Sequence, residues 1–266
     1  MVIYYKMILC MNRKKSVVFA FVLSVLAVSC SVKEDRQACP CRLVLHLDAI
    51  DTSLVNTLYV RAVSSEALVF LDTLSTIGLS ETYVRDVPHD DIVVTVWGSS
   101  RGDADLIIPY GKECPSLYMD AFHADTHGEI CHKDVRLYKN HCRLTVLLDG
   151  RDDLPYSLTF RGNVNGYGMD GLPSEGSFSC VAYPGQGEGM LAAVPRQLDS
   201  SLLLDVQDEG TSVIRTFALG EYLEQSGFDW QEKELKDATI VVDYSVTGIR
   251  ITYKGWDKEY HYDIIL

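Results

Sequence analysis

The chain has 266 residues, which is long enough to bury a core in one large domain or in two ordinary ones. Because 47% of the residues are hydrophobic and 23% are charged, the composition excludes disorder over the whole length. The formal net charge is −13, and because four basic residues but no acids precede position 30, the remainder carries 20 basic and 37 acidic groups. Phosphate backbones repel so acidic a chain, which excludes nucleic acid as a partner, and charge does not attract it to anionic membranes.

The N-terminus predicts an export signal. Arg13, Lys14 and Lys15 form a positive segment, an apolar stretch too short to be a comfortable spanning helix follows, and Ser29 and Cys30 close it. This layout is typical of a lipoprotein signal peptide over residues 1–29. Cys30 would then be the acylated first mature residue, anchored by several buried acyl chains. Residues 30–38 would form the lipidated tether.

Two alternatives stay open at this end of the chain. Ala27 stands where the usual lipoprotein motif has leucine, so cleavage near Ala27 would leave Cys30 as an ordinary cysteine. Translation starts either at Met1 or at Met11, and the second start gives the more usual signal peptide.

From residue 39 onward, apolar and polar residues alternate with period two, the mark of half-buried strands. Leu43, Leu45 and Leu47 face one way, whereas Arg42 and His46 face the other. The pattern recurs at 58–62, 92–97, 144–148, 156–160, 202–206, 213–217, 240–244, 249–253 and 260–266. The segment 92–97 is apolar on both faces, which predicts a central strand.

Helical periodicity is scarce, and the best case covers residues 219–225, with Gly227 well placed to end the helix. Some ten short strands with few helices predict an all-β fold of the sandwich type. One large sandwich is an alternative, but two sandwiches of roughly 115 residues fit better, joined near residues 149–155. The predicted domains are therefore 39–150 and 151–266.

Three stretches together resemble a known family. The first is CSVKEDRQACPC, from Cys30 into the first strand; the second is VRLYKNHCRLTVLL, from Val135; and the third is FALGEYLEQSGFDW, from Phe217, followed by a strand and Trp256. Their order is similar to that of the FimB-type fimbrial-anchor lipoproteins of the Bacteroides group, also called the minor-fimbrium anchor family. The acidic cluster after Cys30 also resembles the export signal that sends lipoproteins of this group to the cell surface; otherwise it is a solvated tether.

The resemblance implies two tandem transthyretin-like β-sandwich domains in a lipoprotein of the cell outer membrane. It further implies that the protein anchors a fimbrium and that its partners are pilin subunits, bound by addition of a β-strand to an open sheet edge. The only family residue that maps onto this sequence is the lipidated Cys30. We expect the open edge in the C-terminal domain, because the tether holds the N-terminal domain near the membrane.

Besides Cys10 and Cys30 the chain has six cysteines, an even number that suggests disulfides in an exported protein. Sequence alone allows fifteen pairings of six cysteines. Cys131 with Cys142 is the most favourable local pair, if residues 132–141 form a hairpin or tight crossover. Free buried thiols are the alternative.

Residues 123–142 also contain a set of metal-ligand residue types. These are His123, His127, Cys131, His132, His141 and Cys142. On a helix, His123, His127 and Cys131 would share one face and suit zinc. The intervening Gly128 and the poor helix formers before it argue against that helix, so we predict neither a metal site nor a cofactor.

The sequence lacks the short motifs of common enzymes, so we predict a protein without catalytic activity. The rival interpretation is a surface lipoprotein that binds glycan or another nutrient. Tyr167, Tyr183, Tyr222 and Trp230 would be the aromatic side chains available for such a site. A glycan binder would present exposed aromatic rings in a cleft, whereas an anchor would not.

Overall fold

The structure is a computed structural model. It describes residues 39–65, 67–99, 106–149, 157–185, 189–207, 213–243, 248–254 and 259–265. The predicted signal peptide, Cys30 and the tether up to residue 38 lie outside these residues.

The described residues form eighteen strands and one helix, which confirms the all-β prediction. The strands of the first half are β1 (Cys41–His46), β2 (Thr57–Ser64), β3 (Leu68–Ser75), β4 (Thr82–Val87), β5 (Asp91–Ser99), β6 (Leu117–Asp125), β7 (Ile130–Asp134) and β8 (Tyr138–Lys139). Those of the second half are β9 (His141–Asp149), β10 (Ser157–Tyr167), β11 (Pro173–Val181), β12 (Tyr183–Pro184), β13 (Gly189–Pro195), β14 (Leu203–Gln207), β15 (Val213–Phe217), β16 (Ala238–Asp243), β17 (Gly248–Lys254) and β18 (Glu259–Ile265). The helix is α1 (Leu219–Gln225).

The first sandwich pairs a three-stranded sheet, ordered β4-β1-β7, with a five-stranded sheet, ordered β3-β2-β5-β6-β8. Leu43 and Leu45 of β1 are fully buried between the sheets, whereas Arg42 of the same strand is exposed. The strand β5 is central in its sheet, as its apolar sequence predicted. Its inner face joins the core, and Trp97 is fully buried in a separate small cluster with Leu117.

The second sandwich pairs a four-stranded sheet, ordered β11-β10-β14-β15, with a six-stranded sheet, ordered β12-β13-β9-β16-β17-β18. Leu204 and Val206 of β14 and Leu144 of β9 meet in its core. The strand β9 pairs antiparallel with β13 and parallel with β16, both of which follow it in the chain. The predicted domain boundary between residues 150 and 151 would therefore separate β9 from the two strands to which it is hydrogen-bonded.

The helix α1 occupies the residues that the sequence predicted. Gly227 has a φ of 88°, and its N–H donates to the carbonyl of Glu224 at 2.9 Å, while the N–H of Phe228 donates to that of Leu223 at 3.0 Å. These two bonds form a Schellman motif, which satisfies the last carbonyls of the helix. Leu219 and Leu223 are thereby fixed in the core of the second sandwich.

Candidate docking edges and the junction between the sandwiches

A small apolar cluster joins the two sandwiches. It comprises Tyr59, Trp97, Leu106, Leu117, Met119 and Tyr167. Above the ring of Trp97 lies the guanidinium of Arg61, 5.0 Å from the ring centroid, and the same group donates to the carbonyl of Gly168 at 2.8 Å. The hairpin between β10 and β11 is thereby held against the outer face of the five-stranded sheet.

A buried arginine links further segments at this junction. The backbone N–H of Arg196 donates to the hydroxyl of Tyr167 at 3.2 Å, and its Nε donates to Oδ1 of Asn140 at 3.2 Å. Its terminal nitrogens donate to the carbonyls of Glu232 at 2.7 Å and Lys233 at 3.3 Å. Burial lowers the pKa of Arg196, so these acceptors offset a real desolvation cost of the cation.

The histidine that opens β9 is part of the same junction. His141 is buried, and its Nδ1 accepts the N–H of Leu117 at 3.1 Å. Burial lowers the pKa of His141 to about 4, so its imidazole is neutral at neutral pH and can accept this bond.

At the β4 edge of the three-stranded sheet, an inward-facing cation covers an aromatic ring. Arg85 pairs in register with the buried Leu43, and its guanidinium lies 5.9 Å from the ring centroid of Phe70. Its Nε also donates to Asp72 at 2.7 Å. These hydrogen bonds lower the pKa of the Asp72 carboxyl. An inward charge at a sheet edge opposes pairing with another strand.

The β7 edge of the same sheet repeats this arrangement. Lys133 pairs with the buried Leu45, and its ammonium lies 4.9 Å from the ring centroid of Phe122. Both edges of the three-stranded sheet therefore carry an inward-facing cation over a phenylalanine.

In the second sandwich, β15 is an edge strand that pairs with β14 among the described strands. Arg215 pairs with the buried Val206, and its guanidinium lies 4.9 Å from the ring centroid of Phe217. Val213, at the start of the strand, is 52% exposed. On the outer face, Thr216 donates to Asp205 at 2.7 Å. The edge thus combines an exposed apolar residue with one covering cation.

The opposite edge of the four-stranded sheet is covered by main chain. The N–H of Gly111 donates to the carbonyl of Ser179 on β11, and the N–H of Cys114 donates to that of Ala193 on β13, each at 2.9 Å. After β11 the chain passes to β12, which belongs to the facing sheet. Residues 111–114 therefore bridge the two sheets and cover the edge of β11, which would otherwise be open.

The structure does not contain the disulfide that the sequence suggested between Cys131 and Cys142. Cys131 and Cys142 are free thiols, because the chain passes from the first sandwich to the second between them. Cys131 packs against the first core, whereas Cys142 is fully buried in the second. Burial raises the pKa of Cys142, and that of Cys180 to about 12, so both thiols are protonated and unreactive at neutral pH.

The histidines of residues 123–142 do not share a helix face. His123 lies on β6, Cys131 on β7, and His127 in the turn between them. Among the described residues, no group of three or more histidine, cysteine, aspartate or glutamate side chains is arranged to hold a metal ion.

The aromatic residues considered for a glycan site are mostly inside the molecule. Tyr167 and Trp230 are buried, Tyr222 packs against the second core, and Tyr183 is 44% exposed. A groove of about 230 Å³ at the junction is lined partly by Tyr138, but the ammonium of Lys233 lies 3.9 Å from that ring's centroid. A sugar would have to displace this cation to stack there.

The helix in the described part of the chain is neither long nor apolar enough to cross a membrane.

Solved structures with the same fold come from Bacteroides and Porphyromonas. A Bacteroides thetaiotaomicron protein proposed to bind polysaccharides has a TM-score of 0.61 at 13% identity, over 84% of this chain and 98% of that chain. The fimbrial anchor protein Mfa2 from Porphyromonas gingivalis has a TM-score of 0.54 at 15% identity, over 82% and 98%. For a proposed adhesin from Bacteroides ovatus the TM-score is 0.54 at 13% identity, over 84% and 96%.

At these identities the likeness establishes a shared fold. The sequence matches no protein-family model, and no curated protein matches it significantly. The fold that the chain shares with these structures covers most of its length and nearly the whole of theirs.

Proposed function

We propose that this chain is a non-enzymatic surface lipoprotein that anchors a fimbrium and accepts an extended strand of a fimbrial subunit at the edge strand β15. The fold shared with the fimbrial anchor Mfa2 supports the fimbrial role. The lipoprotein signal that ends at Cys30 supports attachment to the outer membrane.

The observation that carries the proposal is the state of β15. Its outer main-chain edge faces no other described strand, and Val213 is exposed beside it. An added strand gains affinity from main-chain hydrogen bonds and specificity from alternate side chains. Arg215 covers Phe217 while the edge is vacant, which protects a subunit that must stay soluble before its partner arrives.

The position of β15 also suits growth away from the membrane. The tether precedes β1 of the first sandwich, whereas β15 belongs to the second. We infer that the boundary between the sandwiches lies before His141, because β9 pairs with strands of the second sandwich. A shaft that docks on β15 therefore attaches to the domain that follows the tethered one.

Proline at two consecutive positions tests docking on β15. In an antiparallel strand one of two neighbouring residues directs its N–H toward the partner strand and the other directs it away. Of Arg215→Pro and Thr216→Pro, we expect one to lose a bond to β14 and be destabilised. The other should keep the melting temperature of the alanine variant at the same position, but cells that display it should lose their fimbriae.

Alanine variants at the same positions separate backbone from side-chain effects. Arg215→Ala and Thr216→Ala remove the cation over Phe217 and the hydroxyl bound to Asp205, yet keep both N–H groups. We expect both to retain fimbriae. A folded, displayed proline variant that retains fimbriae as well as the parent does would exclude docking on β15.

Lipid attachment is tested separately. Cys30→Ala removes the acylation site, so the protein should move from the membrane fraction to the soluble fraction with an unchanged melting temperature. If Cys30→Ala protein still sediments with membranes after a high-salt wash, the chain is not anchored through this residue. Cys39→Ala is the matched control, because Cys39 is an exposed thiol nine residues later.

The rival function, glycan binding, rests on the fold shared with the Bacteroides thetaiotaomicron protein that is proposed to bind polysaccharides. The described aromatic side chains do not favour it, since Tyr138 is covered by Lys233 and Trp230 is buried. Capture of fimbrial subunits from solution, compared with capture of capsular or host polysaccharides, would decide between the two functions.

A further inference from the structure

We propose that the outer face of the three-stranded sheet holds a transition-metal ion between His46 and His132. The two imidazoles come from neighbouring strands, β1 and β7, and Nε2 of His46 lies 3.2 Å from Nδ1 of His132. No other pair of described histidines has ring nitrogens within hydrogen-bond distance of each other.

The strand register explains how the two side chains meet. β1 and β7 are parallel, and His132 pairs with Val44 while His46 pairs with Asp134. Val44 and His46 are two residues apart and therefore share one face of the sheet. This is the face away from the core, because Leu43 and Leu45, which alternate with them along β1, are buried. His132 is exposed and His46 half-buried there, so an ion from solution can reach both.

The distance between the nitrogens fits a chelate. With metal–nitrogen bonds of about 2.0–2.1 Å, two nitrogens 3.2 Å apart subtend about 100° at the metal, close to a tetrahedral angle. One imidazole now bonds to the other through a single shared hydrogen. The ring planes lie within 8° of each other and the ring centroids are 5.4 Å apart, so the two nitrogens now point nearly at each other. A metal ion would displace the shared hydrogen and lie off the line between the nitrogens, so both neutral rings would have to turn slightly to bind it.

Asp134 is placed to complete the site. It pairs in register with His46 and lies two residues after His132 on the same face. Its carboxylate does not form a three-ligand group with the histidines in the present rotamers, so it would have to turn toward them. The protein then supplies two imidazoles and one carboxylate, and water supplies the remaining positions. This ligand set suits copper, zinc or nickel and not magnesium, and affinity should be highest for Cu²⁺.

Titration calorimetry of the full chain without a histidine tag tests the proposal. We expect one Cu²⁺ or Zn²⁺ per chain at this face and no binding of Mg²⁺. His46→Gln and His132→Gln should each weaken binding at least tenfold, since even the loss of residues that only orient metal ligands costs roughly 10–100-fold. Asp134→Asn should weaken it less than either histidine variant.

His123→Gln is the matched control. His123 is also an exposed strand histidine beside a carboxylate, with Nδ1 3.3 Å from Asp91, but among the described side chains it has no second imidazole as a partner. It should therefore leave the affinity unchanged. Equal affinity of the parent and the double variant His46→Gln/His132→Gln would overturn the proposal, as would loss of binding in His123→Gln alone. Far-ultraviolet circular dichroism of each variant shows that a loss of binding is not a loss of fold.

Discussion

The two sandwiches protect the edges of their smaller sheets differently. In the first, both edges carry an inward cation over a phenylalanine, Arg85 at β4 and Lys133 at β7. In the second, main chain covers the β11 edge, and a cation protects only β15. A side chain that covers an edge can rotate away, whereas main chain that is hydrogen-bonded to an edge can leave only when those hydrogen bonds break. The β15 edge therefore differs from its counterpart across the same sheet in how easily a partner can reach it.

The β4 edge is also secured more firmly than β15. Arg85 is held by two hydrogen bonds to the carboxylate of Asp72, which leaves it little freedom to leave Phe70. Within the described part of the chain Arg215 forms no ion pair, and its guanidinium lies over the ring of Phe217. This difference makes β15 the better candidate for a reversible edge, and the following variants test it.

The largest effect should come from the junction that fixes one sandwich to the other. Arg196→Met leaves several buried acceptors without a donor, so the free energy of unfolding should fall by about 2–4 kcal/mol. Arg42→Met, at an exposed position of β1, should change it by less than about 0.5 kcal/mol. Urea unfolding measures both. Equal stability of the two variants would mean that the buried hydrogen bonds of Arg196 do not stabilise the protein.

An aspartate in each sandwich gives a matched comparison of pH dependence. Hydrogen bonds from Arg85 lower the pKa of Asp72 in the first sandwich, and those from Arg161 lower the pKa of Asp205 in the second. A carboxyl whose folded pKa is lowered stabilises the protein above its unfolded pKa of about 3.9. This contribution is lost as the pH falls through the folded value.

The contribution to stability that is lost on acidification should be larger for Asp205 than for Asp72, because the side chain of Asp205 is 3% exposed and that of Asp72 is 23% exposed. At pH 7 we expect Asp205→Asn to lower the free energy of unfolding by about 2 kcal/mol and Asp72→Asn by about 1 kcal/mol. Both differences from the parent should shrink as the pH falls from 5 toward roughly 2. Unfolding curves measured across this range would contradict the assignment if the differences grew.

The sequence predicted strands in which apolar and polar residues alternate, including the edge strands β15 and β18, and missed several strands that lack a clear alternation. Alternation located β1, β9 and β14 because their apolar residues face a core. In β3, neither face is deeply buried, so its pattern carries little signal. β13 combines a terminal glycine with small residues and ends at Pro195, which makes it resemble a loop.

Pairing between distant strands could not be predicted from local pattern. β7 lies parallel to β1 although more than eighty residues separate them, and no residue type specifies that choice. For the same reason the local pattern suggested a disulfide between Cys131 and Cys142, which are close in sequence but pack against different cores. This limit also explains why the sequence does not group His46 with the later histidines, because only the strand register brings it beside His132. The helix α1, by contrast, depends on local signals, and its prediction was confirmed.

The smallest effect on stability, and the sharpest test of the edge comparison, concerns the two inward cations. Lys133→Ala and Arg215→Ala each remove a cation from above a phenylalanine ring, which should lower the free energy of unfolding by about 0.5–1 kcal/mol. Light scattering at increasing protein concentration should distinguish the two variants by how strongly each self-associates. Uncovering Phe217 beside the exposed Val213 leaves an apolar edge that two copies can share, so Arg215→Ala should self-associate more than Lys133→Ala. Greater association of Lys133→Ala would instead make β7 the accessible edge, and the docking strand would then belong to the first sandwich.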